Sequence, residues 1–418
     1  MSEKQTRLPW RFWQIVSAEM AERASFIGVA TILAGYSAGP LGLSDTAAAS
    51  LVSAFFTVTY LAPLAGGWVS DRLAGPGRTM ISASVLCLAG HAALGTALDG
   101  PWPLAQALSG LGCIALGAGA IKAVAPVLAG AAAARSPSES PPPPRAFGIF
   151  YAAINIAALV ASLGMPLLRD QIGYGPALVV PMVALALAIP LLWRLPPVQQ
   201  RDLAGNTPSP RLPRMLIRLM PALSLYYLVL YQGYGSWVLF IGREVDLVVA
   251  GWHLPPEIFL AINPLVVITL APFVEPLLAR WMPSHPTRIL SGLAMAAIGP
   301  AIMALGAMLA ASGLTPGPLW PATATLAMAL AEVLIAVSAL VLAAGSGNPA
   351  ARGRATGMFY LTIAIGNLAG GLLVGVLSVP HDARGFLGQT GLLAIGFGLG
   401  WLALRRHAAP LSAPEVVR

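Results

Sequence analysis

The sequence predicts an all-α membrane protein, twelve transmembrane helices in two pseudo-symmetric six-helix bundles. Three observations carry that prediction. Charged residues make up only 10% of the chain, hydrophobic residues 57%, and mean hydropathy is +0.76, where soluble domains hold roughly 25% charged residues. Apolar runs of about 20 residues, the length that crosses a hydrocarbon core, recur from end to end. Short motifs recur at half the chain length.

The runs fall at about 12–38, 46–70, 79–98, 104–132, 146–168 and 174–193, then 215–240, 254–279, 287–311, 319–345, 355–379 and 386–404. Ser136-Pro-Ser-Glu-Ser-Pro-Pro-Pro-Pro144 separates the fourth from the fifth, since a proline-rich polar stretch cannot continue a helix. The organisation that follows is an N-terminal bundle over 1–194, a linker over 195–214 and a C-terminal bundle over 215–418. The first run is too long and too charged for a cleavable signal, and no connection holds a sizeable soluble domain.

Cations set the orientation. An even number of crossings puts both termini on one side. That side collects nineteen Lys and Arg, against Arg169, Arg243 and Arg384 opposite. The positive-inside rule places both termini in the cytoplasm. The same bias accounts for the net charge of +8 without a nucleic-acid partner. Scarce Lys with abundant Ala, Arg, Gly and Pro suggests a GC-rich bacterial genome, and a bacterial inner membrane is the expected location of this multi-pass chain. Cys87 and Cys113 lie in apolar runs and read as small core residues. Trp237 and Trp252 read as interfacial anchors.

A duplication shows through. Leu61-Ala-Pro63 recurs as Leu270-Ala-Pro272, and Phe150-Tyr151 as Phe359-Tyr360. Both offsets are 209, half of 418, and both link crossing n to crossing n+6. Repeats of that kind imply two bundles related by an axis along the membrane normal, with a site between them near the midplane.

Charges inside the runs mark that site. Glu19, Glu22 and Arg23 share one face of the first helix, at offsets of three and four. Lys122 is one of only two lysines, and a lysine at depth suits a titratable cation where arginine is otherwise preferred. Glu332 lies within the tenth run, beside the position 209 residues after Lys122. Charge at membrane depth is costly and usually functional; a fixed salt bridge between helices is the plainer alternative. His91 has no Ser-His-Asp or metal-ligand partners in sequence, which argues against an enzyme and against a metal site. No cofactor is called for.

The motifs then point to a family. Glu19-x-x-Glu22-Arg23-x-x-Phe26-x-Gly28 resembles the first-helix signature of the proton-coupled oligopeptide transporters, a branch of the major facilitator superfamily. Gly67-x-x-x-Asp71-Arg72-x-x-Gly75-x-x-Arg78 resembles the superfamily's loop between crossings two and three. Ala120-Ile-Lys122, Phe150-Tyr151-Ala-Ala-Ile154-Asn155, Asn263-Pro264, Ala331-Glu332 and Phe359-Tyr360-Leu361 continue the likeness in order.

The resemblance implies a proton-driven symporter of di- and tripeptides or peptide-like solutes, working by alternating access as a monomer, with protons and the bilayer as its other partners. A peptide zwitterion needs opposite charges on opposite walls. Arg23 and Lys122 would take its carboxylate and Glu332 its ammonium, with Tyr60, Tyr151, Asn155, Gln232 and Asn263 completing a polar site. Glu19, Glu22, Arg23 and Lys122 would couple protons, and Gly67, Asp71, Arg72 and Arg78 would form a conformational latch. The chain departs from the family at Phe26, Ile27 and Ala30, where paired tyrosines and an arginine are usual, and at Leu230 and Tyr231, which precede Gln232 without a carboxylate. Two helices often found between bacterial bundles do not fit in 194–214. A major facilitator carrier of a non-peptide metabolite or drug, an exporter included, and a non-transporting receptor on the same fold are the alternatives.

Overall fold

The computed structural model describes residues 8–133, 144–193, 214–344, 349–377 and 383–408. In the first half, α1 (Trp10–Ala38), α2 (Asp45–Val69), α3 (Pro76–Gly95), α4 (Pro103–Ala133), α5 (Pro144–Ile172) and α6 (Tyr174–Trp193) each make one crossing. In the second half, α7 (Arg214–Leu230) with α8 (Ser236–Glu244) makes the seventh crossing and α9 (Ile262–Trp281) the eighth. The ninth is α10 (His285–Ala296) with α11 (Ile298–Ala311), followed by α12 (Leu319–Ala344), α13 (Pro349–Leu377) and α14 (Ala383–Ala408). By length and composition alone, nine helical segments among the described residues are apolar enough to cross a membrane. The other three crossings are α1, α3 and the eighth; α1 carries Glu19, Glu22 and Arg23, and α3 carries Arg78 and His91. With an even number of crossings, α1 begins and α14 ends on one face, called here the terminal face. The linker expected over 195–214 lies outside the described residues apart from Arg214, which opens α7.

Three crossings are not the unbroken helices expected. The seventh tightens into a 3-10 turn over Tyr231–Tyr234 and breaks at Gly235 (φ −113°, ψ −98°). The eighth begins as a 3-10 segment, Pro256–Ala261, with Pro264 in the first turn of α9, where a missing N–H costs little. The ninth breaks at Ala297, where the Pro300 ring opposes the carbonyl of Ala296. On the face opposite the termini, β1 (Val248–Val249) and β2 (Trp252–His253) form a hairpin. Its two loop residues, Ala250 (φ 50°) and Gly251 (φ 83°), are both left-handed, as the twist of a two-residue hairpin loop demands.

Lipid tails are as apolar as leucine, so helices in a bilayer associate through close packing of small residues. At Gly66 an added Cβ would stand 2.5 Å from the Cα of Ala120, and at Gly119 2.4 Å from the Cβ of Ala62, so α2 and α4 meet almost backbone to backbone. Gly90 and Gly110 do the same for α3 and α4, each 2.7 Å from the other's carbonyl oxygen by that measure. These contacts hold α4, and with it Lys122, against α2 and α3. The repeat seen in sequence has matching surroundings in space. Leu61 on α2 and Leu270 on α9 are both exposed, while Phe150 on α5 and Phe359 on α13 are both buried.

The halves meet mainly along α2 with α13 and α5 with α9. Ser50 donates to the carbonyl of Gly371 at 3.2 Å. Val238 and Leu260, from the second half, belong to the core of the first.

Candidate functional site

The charged cluster forms, with a definite pairing. Lys122 Nζ donates to Glu22 Oε1 at 3.2 Å, and Arg23 donates to Glu19 Oε1 at 3.4 Å. Lys122 also sits 4.2 Å from the centre of the Phe26 ring. The Arg23 side chain is 16% exposed while Glu19, Glu22 and Lys122 are buried. Among the described residues, Glu19 Oε2, Glu22 Oε2 and Arg23 Nε have no hydrogen-bond partner.

A cavity lies between the halves. Arg23, Tyr60, Tyr151, Asn155, Asn263 and Glu332 all line it, so six of the eight residues expected to bind substrate come together. Asn263 Nδ2 donates to Glu332 Oε2 at 2.5 Å, orienting the acid from the neighbouring helix. Asn155 Nδ2 donates to the carbonyl of Tyr151 on its own helix at 2.9 Å.

Two expected ligands stand elsewhere. Lys122 does not line the cavity; it is held behind Glu22. Gln232 is buried against α13, where its Nε2 lies 3.0 Å from the position of a Cβ on Gly370, and its Oε1 accepts from Ser236. The 3-10 turn rotates Gln232 out of the cavity and brings Tyr231 in. Tyr231 packs on Phe56, ring centroids 4.3 Å apart, and donates to the Tyr60 hydroxyl at 2.6 Å.

Trp237 is likewise no interfacial anchor: it is buried, lines the cavity and donates to Gln389 at 2.9 Å. Trp252, at the hairpin, is exposed as an anchor would be. His91 is a core residue, its Nδ1 on the carbonyl of Leu178 at 2.7 Å and its Nε2 on Ser25 at 2.5 Å, tying α3 to α6 and α1.

Beyond Tyr60 and Tyr151, the aromatic lining that the seventh crossing supplies, Tyr231, Tyr234 and Trp237, was not expected from the sequence, although a signal was there. Tyr226, Tyr227, Tyr231 and Tyr234 place four of the nine tyrosines well inside one crossing, away from the ends where interfacial belts form.

On the terminal face, Asp71, Arg72 and Arg78 are exposed, and Ser70–Ala74 wind as a π-helical turn that ends at Gly75 (φ 77°). Gly75 needs to be glycine for that backbone. Gly67 does not, since a Cβ there would meet nothing within 4 Å; the close approach belongs to its neighbour Gly66.

On the opposite face two ion pairs join the halves. Arg169 at the end of α5 binds Glu257 on the 3-10 segment, and Arg243 at the end of α8 binds Asp45 at the start of α2. Glu257 is buried in the first half, beside Gly35 and Tyr174, and Arg169 lies over the Tyr174 ring at 5.4 Å. Two of the three cations counted on the sparsely charged side are thus paired with acids of the other half.

A central cavity with a cation on one six-helix wall, an acid on the other and ion pairs joining the halves at one end fits a multi-pass transporter of the major facilitator fold. A family model described as PTR2, POT family, matches residues 77–194 and 211–393, and the chain belongs to that family.

Similarity to individual proteins agrees. The chain is 26% identical to the peptide transporter YePEPT of Yersinia enterocolitica, over 88% of each protein. It is 32% identical to dipeptide and tripeptide permease A of Chromobacterium violaceum over 184 residues, 44% of this chain and 36% of that one. The crystal structure of the POT family transporter PepTSo superposes with a TM-score of 0.82 at 20% identity, over 96% of this chain and 99% of that one. A peptide transporter POT in complex with alafosfalin does so at 0.81 and 21%, over 96% and 94%.

Proposed function

We propose that the chain imports di- and tripeptides, or solutes built like them, together with protons across a bacterial inner membrane. Relatives named as dipeptide and tripeptide permeases support the substrate class. The observation that carries the proposal is the opposition of Arg23 and Glu332 across one cavity, on walls contributed by different halves. That is the charge pattern a free peptide presents at its two ends, and fixing the ends leaves the side chains to vary. Cation asymmetry puts the terminal face in the cytoplasm. The ion pairs of Arg169 and Arg243 then close the outer side, and their opening and closing provide the two states of alternating access.

Coupling rests on Glu19, Glu22, Arg23 and Lys122, whose charges sum to zero. Protonation of one carboxylate leaves a surplus positive charge in low dielectric. Lys122 is freed from Glu22 and the cavity wall becomes more attractive to a substrate carboxylate, so proton and peptide each raise the other's affinity. Asp71, Arg72 and Arg78 bias the movement of the bundles from the cytoplasmic face and do not bind substrate. Uptake of labelled dipeptide into proteoliposomes, with and without an inward proton gradient, tests the proposal. Gradient-dependent accumulation is expected, and binding without accumulation would indicate a receptor instead.

A further inference from the structure

The hairpin between the seventh and eighth crossings is apolar where the chain has already left the helices. Arg243, Glu244 and Asp246 bring the end of α8 to the water boundary, yet the strands that follow read Val248-Val249 and Trp252-His253. Their register sets Val249 opposite Trp252 and Val248 opposite His253. Paired residues share a face and successive residues alternate, so Val249 and Trp252 lie on the side of Leu247 and Leu254. At the base of the hairpin that side is core: Leu247 is buried, and Leu254 packs against the same cluster. At the tip it is bare, with Val249 42% and Trp252 78% exposed. The tip therefore overhangs the helix ends with its core-facing side uncovered.

Hydrogen bonds fix the overhang in place. Asp246 accepts from the Val248 N–H at 3.0 Å, and its own N–H donates to the carbonyl of Pro316, between α11 and α12, at 2.9 Å. Leu314 in that connection and Leu319 at the start of α12 are exposed too, and Leu305 and Met308 extend the exposed apolar surface along α11. An apolar patch continuous with the sides of membrane-crossing helices is covered by lipid.

We propose that the hairpin docks on the membrane surface at this face, with Val249 and Trp252 set into the lipid and Val248 and His253 turned to water. An apolar face bearing tryptophan suits the headgroup boundary, where such faces sit about 5–10 Å deep. The hairpin also joins α8, whose Arg243 binds Asp45, to the 3-10 segment, whose Glu257 binds Arg169. Lipid contact thereby steadies both ion pairs between the halves.

An environment-sensitive fluorophore on Val249→Cys or Val248→Cys, in the full chain lacking Cys87 and Cys113, tests the docking. The protein is reconstituted in phosphatidylcholine liposomes containing lipid with a nitroxide near the top of the acyl chain. Quenching should be several-fold stronger at position 249 than at 248. Equal quenching at the two positions would overturn the proposal. So would a fluorophore at 249 that is shielded from aqueous iodide yet not quenched by the nitroxide, since a protein surface such as a second copy would then cover the face. Trp252→Asp should speed external thiol labelling of Ala158→Cys several-fold in liposomes, and His253→Asp should not. Equal rates in these two variants would overturn the link from hairpin to ion pairs.

Discussion

Glu22 passes over Arg23, its neighbour in sequence, and binds Lys122 on α4 at 3.2 Å. Adjacent residues on a helix point about 100° apart, so Arg23 turns to Glu19 one turn back and Glu22 is left for another helix. The α1 acids are therefore not interchangeable. Glu19 neutralises a cation on its own helix, whereas Glu22 ties α1 to α4.

Substrate polarity should depend on Glu332. Glu332→Gln removes the negative charge and keeps a partner for Asn263. A hydrogen bond to a charged group contributes about 1.5–3 kcal/mol. Free dipeptides should therefore lose about tenfold or more in affinity, and N-acetylated ones far less. Equal losses in a competition assay would reduce Glu332 to a structural role.

The two outer ion pairs should differ in weight. Arg243 is half exposed, and pairs of that kind contribute about 0–1 kcal/mol. Arg169 with the buried Glu257 is another matter, since removing one partner of a buried pair costs about 3–5 kcal/mol. Arg169→Ala should open the outer face far more than Arg243→Ala. Labelling of Ala158→Cys by an external membrane-impermeant thiol reagent, in a background lacking Cys87 and Cys113, reads this directly. Comparable rates in both variants would mean closure rests on apolar contacts such as Val238 and Leu260.

Asp71→Asn should slow transport and leave substrate affinity nearly unchanged, because Asp71 is exposed on the terminal face, away from the cavity. Turnover in proteoliposomes and binding to the purified protein, measured together, separate the two effects. A large loss of affinity at unchanged turnover would remove Asp71 from the latch.

Much of this was legible in the sequence because a bilayer makes charge conspicuous. Glu19, Glu22, Arg23, Lys122 and Glu332 stand out of apolar runs; the structure brings Arg23 and Glu332 to the cavity, pairs Glu19 with Arg23, and pairs Glu22 with Lys122. What stayed hidden depends on backbone rotation or on distant partners. Gln232 and Tyr231 exchange places because the seventh crossing tightens into a 3-10 turn, which an uninterrupted apolar run does not announce. Trp237 reads like any tryptophan until its bond to Gln389 is seen. Glu257 sits at the edge of an apolar run, and its partner Arg169 is 88 positions away.

The central claim is that breaking the Glu22–Lys122 pair is the coupling step, and counterflow measured beside proton-driven uptake in the same proteoliposomes tests it most directly. Glu22→Gln and Lys122→Ala should each abolish accumulation against a gradient while exchange of labelled for unlabelled peptide survives at least in part. If both variants keep full proton-driven accumulation, the pair is a structural salt bridge and coupling lies elsewhere.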